Sequence, residues 1–154
     1  MNQFLILMPQ LLNQVSKWVL VAFLVVSFLG FLDATYLAVE HFRGVIPPCT
    51  FLSGCEKVTT SEYSVIFGVP VALGGSLYYL AVFILTALFM QTRRAKLLKY
   101  VFYLSILGFL ASLAFVYLQL FVIYAICIYC MFSVLTSTTI FGLSLWARTK
   151  VSFN

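Results

Sequence analysis

From Tyr100 to Ala147 the chain runs 48 residues without one charged side chain. A single helix of that length would reach about 72 Å, more than twice a hydrocarbon core of about 30 Å. The run therefore has to fold back on itself as two membrane spans. The turn belongs near its middle, around Phe121 to Ile126. No Gly or Pro marks it there, so length alone places it.

Two further apolar runs precede it. Trp18 to Val39 is 22 residues long, or about 33 Å as a helix, enough to cross a bilayer. Val65 to Met90 is interrupted only by Pro70 and several glycines. Helices in lipid tolerate both when neighbours cover the exposed backbone. The expectation is an all-α integral membrane protein, a bundle of four transmembrane helices with a cysteine-bearing extracytoplasmic loop. The spans fall at about 18–39, 65–90, 100–121 and 126–147, within one membrane domain over residues 17–148. Composition agrees: 64% of residues are hydrophobic and 8% charged, against about 25% charged in soluble domains.

Residues 149–154 then form a tail. Residues 1–16 need a separate reading. Phe4, Leu5, Leu7, Met8, Leu11, Leu12 and Val15 make an apolar stripe at helical spacing among Asn and Gln. That pattern predicts a short helix lying in the membrane interface. No basic segment precedes it, which argues against a cleaved signal peptide.

Alternating spans put the first and third connections on one side of the membrane. All four cysteines (Cys49, Cys55, Cys127 and Cys130) lie in those two connections or at their edge. The opposite side carries Lys17, Arg93, Arg94, Lys96, Lys99, Arg148 and Lys150, whereas the cysteine side has only Arg43 and Lys57. Seven basic residues against two set the termini in the cytoplasm by the positive-inside rule. The cysteines then face an oxidising compartment, where disulfides persist. In a bacterium this is the inner membrane with the cysteines toward the periplasm. The net charge of +5 is thus spent on topology, and no basic face suits nucleic acid.

Cys127-Ile-Tyr-Cys130 opens the fourth span. Cysteines three apart share a helix face, and the helix N-terminus favours a thiolate. Cys49 and Cys55 flank a five-residue loop segment; Pro47 and Pro48 stiffen its approach and Gly54 loosens the turn beside Cys55. A loop-borne disulfide there would be exchangeable. The loop pair can meet a soluble protein and the helix pair can meet something dissolved in lipid. Exchange between the pairs would connect the two phases. The competing readings are inert buried thiols, two unrelated structural disulfides, and a zinc site, although the lone His41 and the spacings match no standard finger.

Three segments resemble the vitamin K epoxide reductase family in its bacterial form. They are Leu32-Asp-Ala-Thr-Tyr-Leu-Ala-Val-Glu-His-Phe42, then Cys55-Glu-Lys-Val-Thr-Thr-Ser61 with Ile66-Phe-Gly-Val-Pro-Val-Ala-Leu-Gly-Gly75, and Cys127-Ile-Tyr-Cys130. The resemblance runs from about residue 18 to 147. Disulfide bond formation protein B, the other four-span oxidase family, carries its CxxC in the first loop instead.

The resemblance implies oxidation of a thiol protein coupled to reduction of a quinone, ubiquinone or menaquinone. It implies that Cys49 meets the reduced partner and that Cys55 passes electrons to Cys127 through a transient disulfide. Cys130 would then react with the quinone, with the Ser61 hydroxyl assisting nearby. Animal members have an aromatic hydroxyl where this chain has Val134 and an amide near the position of Ser64. Their absence favours plain quinone reduction over epoxide reduction. Ser64, Phe67 and Val134 are the expected pocket walls beside Cys130. Many bacterial relatives carry a fused thioredoxin-like domain; this chain ends soon after the fourth span, so its partner is expected to be a separate thioredoxin-fold oxidase. The alternatives are a vitamin K quinone or epoxide reductase, and a non-enzymatic scaffold with structural disulfides. Asp33 lies inside a span, which makes it a candidate proton donor, against an interfacial acid bonded to a neighbouring helix. His41 at the membrane edge is a weaker candidate of the same kind.

Overall fold

The computed structural model describes residues 15–48 and 54–150. The interfacial helix expected over residues 1–16, most of the 149–154 tail, and Cys49 fall outside them. Helix α1 spans Lys17–Arg43, and a short helix α2 spans Cys55–Thr59. A 3₁₀ turn at Glu62–Ser64 leads into strands β1 (Val65–Ile66) and β2 (Val69–Pro70). Helices α3 (Val71–Thr92), α4 (Ala95–Tyr117) and α5 (Ile128–Lys150) follow, with a π-helical turn at Leu118–Ile123 extending α4. Four helices are long and apolar enough to cross a membrane: α1, α3, α4 with its π turn, and α5. The chain is an integral membrane bundle of four helices.

The helix boundaries differ from the expected ones where local backbone chemistry overrides apolar length. Residues 65–70 are not helical. Val65 pairs with Pro70 and Ile66 with Val69 in an antiparallel hairpin. Its two turn residues, Phe67 and Gly68, have φ of 52° and 79°, the left-handed pair that a two-residue hairpin requires. Helix α3 starts only after Pro70, which has no N–H to contribute. At the far end, α3 and α4 are joined by Arg93 and Arg94 alone, rather than by the nine residues 91–99. Basic residues do not interrupt the helices: Lys96 and Lys99 are exposed in the first turns of α4, where long stems can cover apolar surface while the charge stays outside. Helix α1 likewise continues to Arg43, where Gly44 at φ 64° closes it. There the Val45 N–H donates to the Glu40 carbonyl at 3.0 Å.

The bundle interior mixes large apolar side chains, Leu20, Phe23, Phe89 and Ile140 among them, with small and weakly polar ones. On α1 the buried face runs from Leu20 and Phe23 through Ser27, Gly30 and Ala34 to Ala38, while Val21, Val25, Phe28, Leu32 and Val39 point outward. Lipid is as apolar as these large side chains, so packing of backbones through small residues drives association instead. Helix α1 packs on α3 and α5, and α4 packs on α5 and α3.

Hydrogen bonds across the interfaces add direction. The hydroxyl of Tyr79, a residue 1% exposed, donates to the Ser133 carbonyl at 2.8 Å. The same oxygen lies 2.7 to 2.9 Å from the hydroxyls of Ser133, Thr136 and Ser137. Thr35 and Ser76 join α1 to α3 at 2.8 Å, and Ser105 and Ser144 join α4 to α5 at 2.6 Å. Interhelical bonds of this kind contribute about 0.6 kcal/mol on average and up to about 1.7 kcal/mol. Tyr79→Phe removes one oxygen shared by four partners and is expected to lower stability by about 1–2 kcal/mol, measured as the unfolding midpoint in denaturing detergent.

Candidate active site

At one end of the bundle three segments converge: the start of α2, the turn that follows the π segment, and the start of α5. Cys55, Val58, Ile123 and Cys127 form one buried cluster there, with Tyr129 and Cys130 packed against it. Cys55 and Cys127 are both 0% exposed. Cys55 is disulfide-bonded, whereas Cys127 and Cys130 are free thiols.

Gly54 is what lets α2 come this close. A Cβ at residue 54 would stand 2.5 Å from the Ile126 carbonyl oxygen and 2.7 Å from its nitrogen. Its φ is −96°, an ordinary value for any residue. Gly54, expected to loosen the turn, instead permits close backbone approach, which brings the loop cysteine onto the turn that carries the CxxC motif. Gly54→Ala is expected to push α2 off Ile126 and, in protein whose other two cysteines are replaced by alanine, to slow oxidative cross-linking of residues 55 and 127 at least tenfold, as read by quenched thiol trapping.

The turn before α5 is built from the π segment. Tyr124, at φ 53°, ends it in the left-handed conformation. The Ala125 N–H then donates to the Gln119 carbonyl at 3.1 Å. The Gln119 side chain, 2% exposed, accepts the Cys127 N–H on Oε1 at 2.9 Å. One residue thus clasps both ends of the turn. π-turns inserted in this way redirect side chains and recur at functional sites.

Cys127 sits at the N-cap of α5 rather than inside its first turn. Its carbonyl accepts the first intrahelical bond, from Met131 N–H at 3.0 Å. Its sulfur takes the place of a capping oxygen and accepts the Cys130 thiol and the backbone N–H groups of Cys130 and Tyr129. These donors, the Cys130 thiol first, outweigh burial and bring the Cys127 thiol down from about 9 to about 6. At neutral pH Cys127 is then a thiolate and Cys130 its hydrogen-bond donor.

Cys130 opens onto a cavity of about 930 Å³ between the helices, within the range of roughly 300–1,000 Å³ typical of small-molecule sites. Cys127 does not line it. Ser61, Ser64 and Val134 do. The Ser61 hydroxyl donates to the Val58 carbonyl and that of Ser64 to the Ser61 carbonyl, each at 2.7 Å, so both proton donors are engaged. Phe67, expected in the pocket wall, is not among the lining residues. It stands fully exposed at the hairpin tip, because the left-handed turn that holds it points its side chain away from the bundle. Asp33 and His41 both line the cavity, and Asp33 lies near enough to Cys127 and Cys130 to interact with them electrostatically.

Among the described residues four buried side-chain polar atoms lack a hydrogen-bond partner. Three of them, Asp33 Oδ2, Tyr78 Oη and Gln119 Nε2, belong to residues that line this cavity. Orphaned polar atoms each cost about 1–3 kcal/mol. Three around one apolar space mark it as built for a ligand with polar atoms of its own. Asp33 stands out in the sequence as an acid within a span; Gln119 does not, and its one signal is that it is the only carboxamide in the charge-free run from 100 to 147.

The family model of the vitamin K epoxide reductase family matches residues 21–145. Among curated proteins none matches the chain.

The reactivity of Cys127 gives a direct check. Thiolate ultraviolet absorbance of protein with its CxxC reduced is expected to titrate near pH 6. In Cys130→Ala, which deletes the strongest donor, the midpoint should rise by about one unit or more.

Proposed function

Because the chain belongs to the vitamin K epoxide reductase family, a membrane thiol–disulfide oxidoreductase family, we propose that it oxidises a thioredoxin-fold thiol partner and delivers the electrons to a membrane quinone. One observation carries this reading. Of the two CxxC sulfurs, Cys127 is packed against Cys55 and Cys130 faces the cavity. Each helix cysteine is thereby matched to one half of a relay.

The steps balance as two-electron exchanges. A partner dithiol attacks the loop disulfide of Cys49 and Cys55, with Cys49 taking the mixed disulfide. The partner leaves oxidised and both loop thiols are reduced. Cys55 thiolate then attacks Cys127 in an oxidised CxxC pair, and Cys130 leaves as thiolate. Cys49 resolves the Cys55–Cys127 bond, restoring the loop disulfide and leaving Cys127 and Cys130 as a dithiol. When bound, the quinone would take two electrons from that pair as the Cys127–Cys130 disulfide re-forms, with one proton coming from the Cys130 thiol and the second from a neighbouring acid. The residue composition of the cavity fits such a ring: the walls are largely apolar, with Cys130 and unpartnered polar atoms at the margin. Asp33, beside the cysteines, is placed to supply a proton there, and Ser61 presents its lone pairs. Val134 and Ser64, in place of the polar groups of the animal branch, favour plain quinone reduction.

The seven-to-two charge bias supports an inner-membrane orientation with the cysteines toward the periplasm and both termini in the cytoplasm.

The central link is open to trapping. In a Cys49→Ala/Cys130→Ala double variant, mild oxidation is expected to give a Cys55–Cys127 disulfide in high yield, identified by non-reducing peptide mapping. Quinone reduction by Cys130→Ser should fall to the uncatalysed rate. A Cys130→Ser protein that reduces quinone at the wild-type rate overturns the scheme.

A further inference from the structure

We propose that Gln119 holds the electron acceptor as well as the turn: its Oε1 fixes Cys127 and its Nε2 donates to a carbonyl oxygen of the acceptor in the cavity. This rests on the quinone reading of the site and names the group that orients the ring in it.

A quinone carbonyl only accepts hydrogen bonds, so the site must offer a donor. The hydroxyls of Ser61 and Ser64 already donate to backbone carbonyls. The Tyr79 hydroxyl is tied to Ser133 and its neighbours on α5. Among the described cavity residues, the buried polar atoms without a partner are Asp33 Oδ2, Tyr78 Oη and Gln119 Nε2. Asp33 gives up its proton in the reaction, which leaves the tyrosine and the amide as standing donors. Tyr78 abuts Gly108 on α4. Eleven residues separate Gly108 from Gln119, about 16 Å along a helix, so Tyr78 lies too deep to serve a ring at Cys130. Gln119 is carried directly against Cys127 by its 2.9 Å bond, and Cys127 in turn is bonded to Cys130.

A clasp alone would need only the acceptor half of the amide. Burying the donor half unpaired is costly, and an occupant of the cavity removes that cost. The planar amide then ties two positions together. The oxygen that sets where α5 begins and the nitrogen that sets where the acceptor sits belong to one rigid group. Ring and CxxC pair are thus held in register by a single side chain.

The test compares two ligands on purified full-length protein: a prenylated naphthoquinone, and a prenylated naphthalene of the same ring and tail without the oxygens. Binding is read by protein fluorescence quenching in wild type, Gln119→Met and Gln119→Leu. Wild type should prefer the quinone. In both variants that preference should fall about fivefold, the equivalent of one hydrogen bond of about 1 kcal/mol, beyond any loss the two ligands share through release of the Cys127 N–H. Variants that keep the full preference overturn the assignment to Gln119. A wild type that binds the two ligands alike overturns the quinone reading itself, and the Gln119 proposal with it.

Discussion

A buried backbone N–H or C=O needs a partner, and the sharp reversal between the third and fourth spans, which ends on the buried Cys127, is where that constraint presses hardest. The chain meets it with Gln119. Its carbonyl takes the Ala125 N–H and its side chain takes the Cys127 N–H. The π winding that precedes Tyr124 presents the residue to the interior. The redox motif therefore begins where the backbone accounting of a membrane turn closes. The cap of α5 is a sulfur rather than an oxygen, so the same donors that satisfy a helix end also hold a thiolate. Structure and reactivity at Cys127 are one arrangement seen from two sides.

The inside of the bundle follows from having lipid as its solvent. Large apolar side chains gain little by leaving lipid, so many stay outside, and those that do turn inward, such as Phe23 and Phe89, pack beside small residues that let the helices approach. Gly30 and Gly108 admit the rings of Tyr79 and Tyr78. Where backbones approach closely the helices lock, as at the Tyr79 hydroxyl. Where α2 and the hairpin cover the helix ends, space is left for a ligand of moderate size. Packing and pocket are complementary parts of one interior.

Much of this was legible in the chain itself. Charge-free length fixed the number of spans, because bilayer thickness is a hard ruler, and alternation of direction then gathered Cys55, Cys127 and Cys130 at one end. What length could not reveal was local. Residues 65–70 are as apolar as a helix, yet Phe67-Gly68 turns left-handed and Pro70 withholds an N–H, so they pair as strands. The connection between α3 and α4 shrinks to Arg93 and Arg94 because basic residues do not interrupt the helices. Phe67 carries a pocket-like side chain on a turn that aims it away. Gly54 and Gln119 were visible as letters. Their roles depend on what stands opposite, the Ile126 backbone and the Cys127 N–H, and no spacing rule encodes a neighbour more than seventy residues away, as Ile126 is from Gly54.

Complete burial of Cys55 and Cys127 also works as insulation. A sulfur with no exposed surface cannot collide with small thiols or peroxides dissolved in water, however reactive its thiolate. A thiol held near pH 6 in the open would be discharged by whatever reached it first. Enclosed against α2, it can react only with what the fold delivers, so selectivity at this junction comes from access and leaves intrinsic reactivity free to be high.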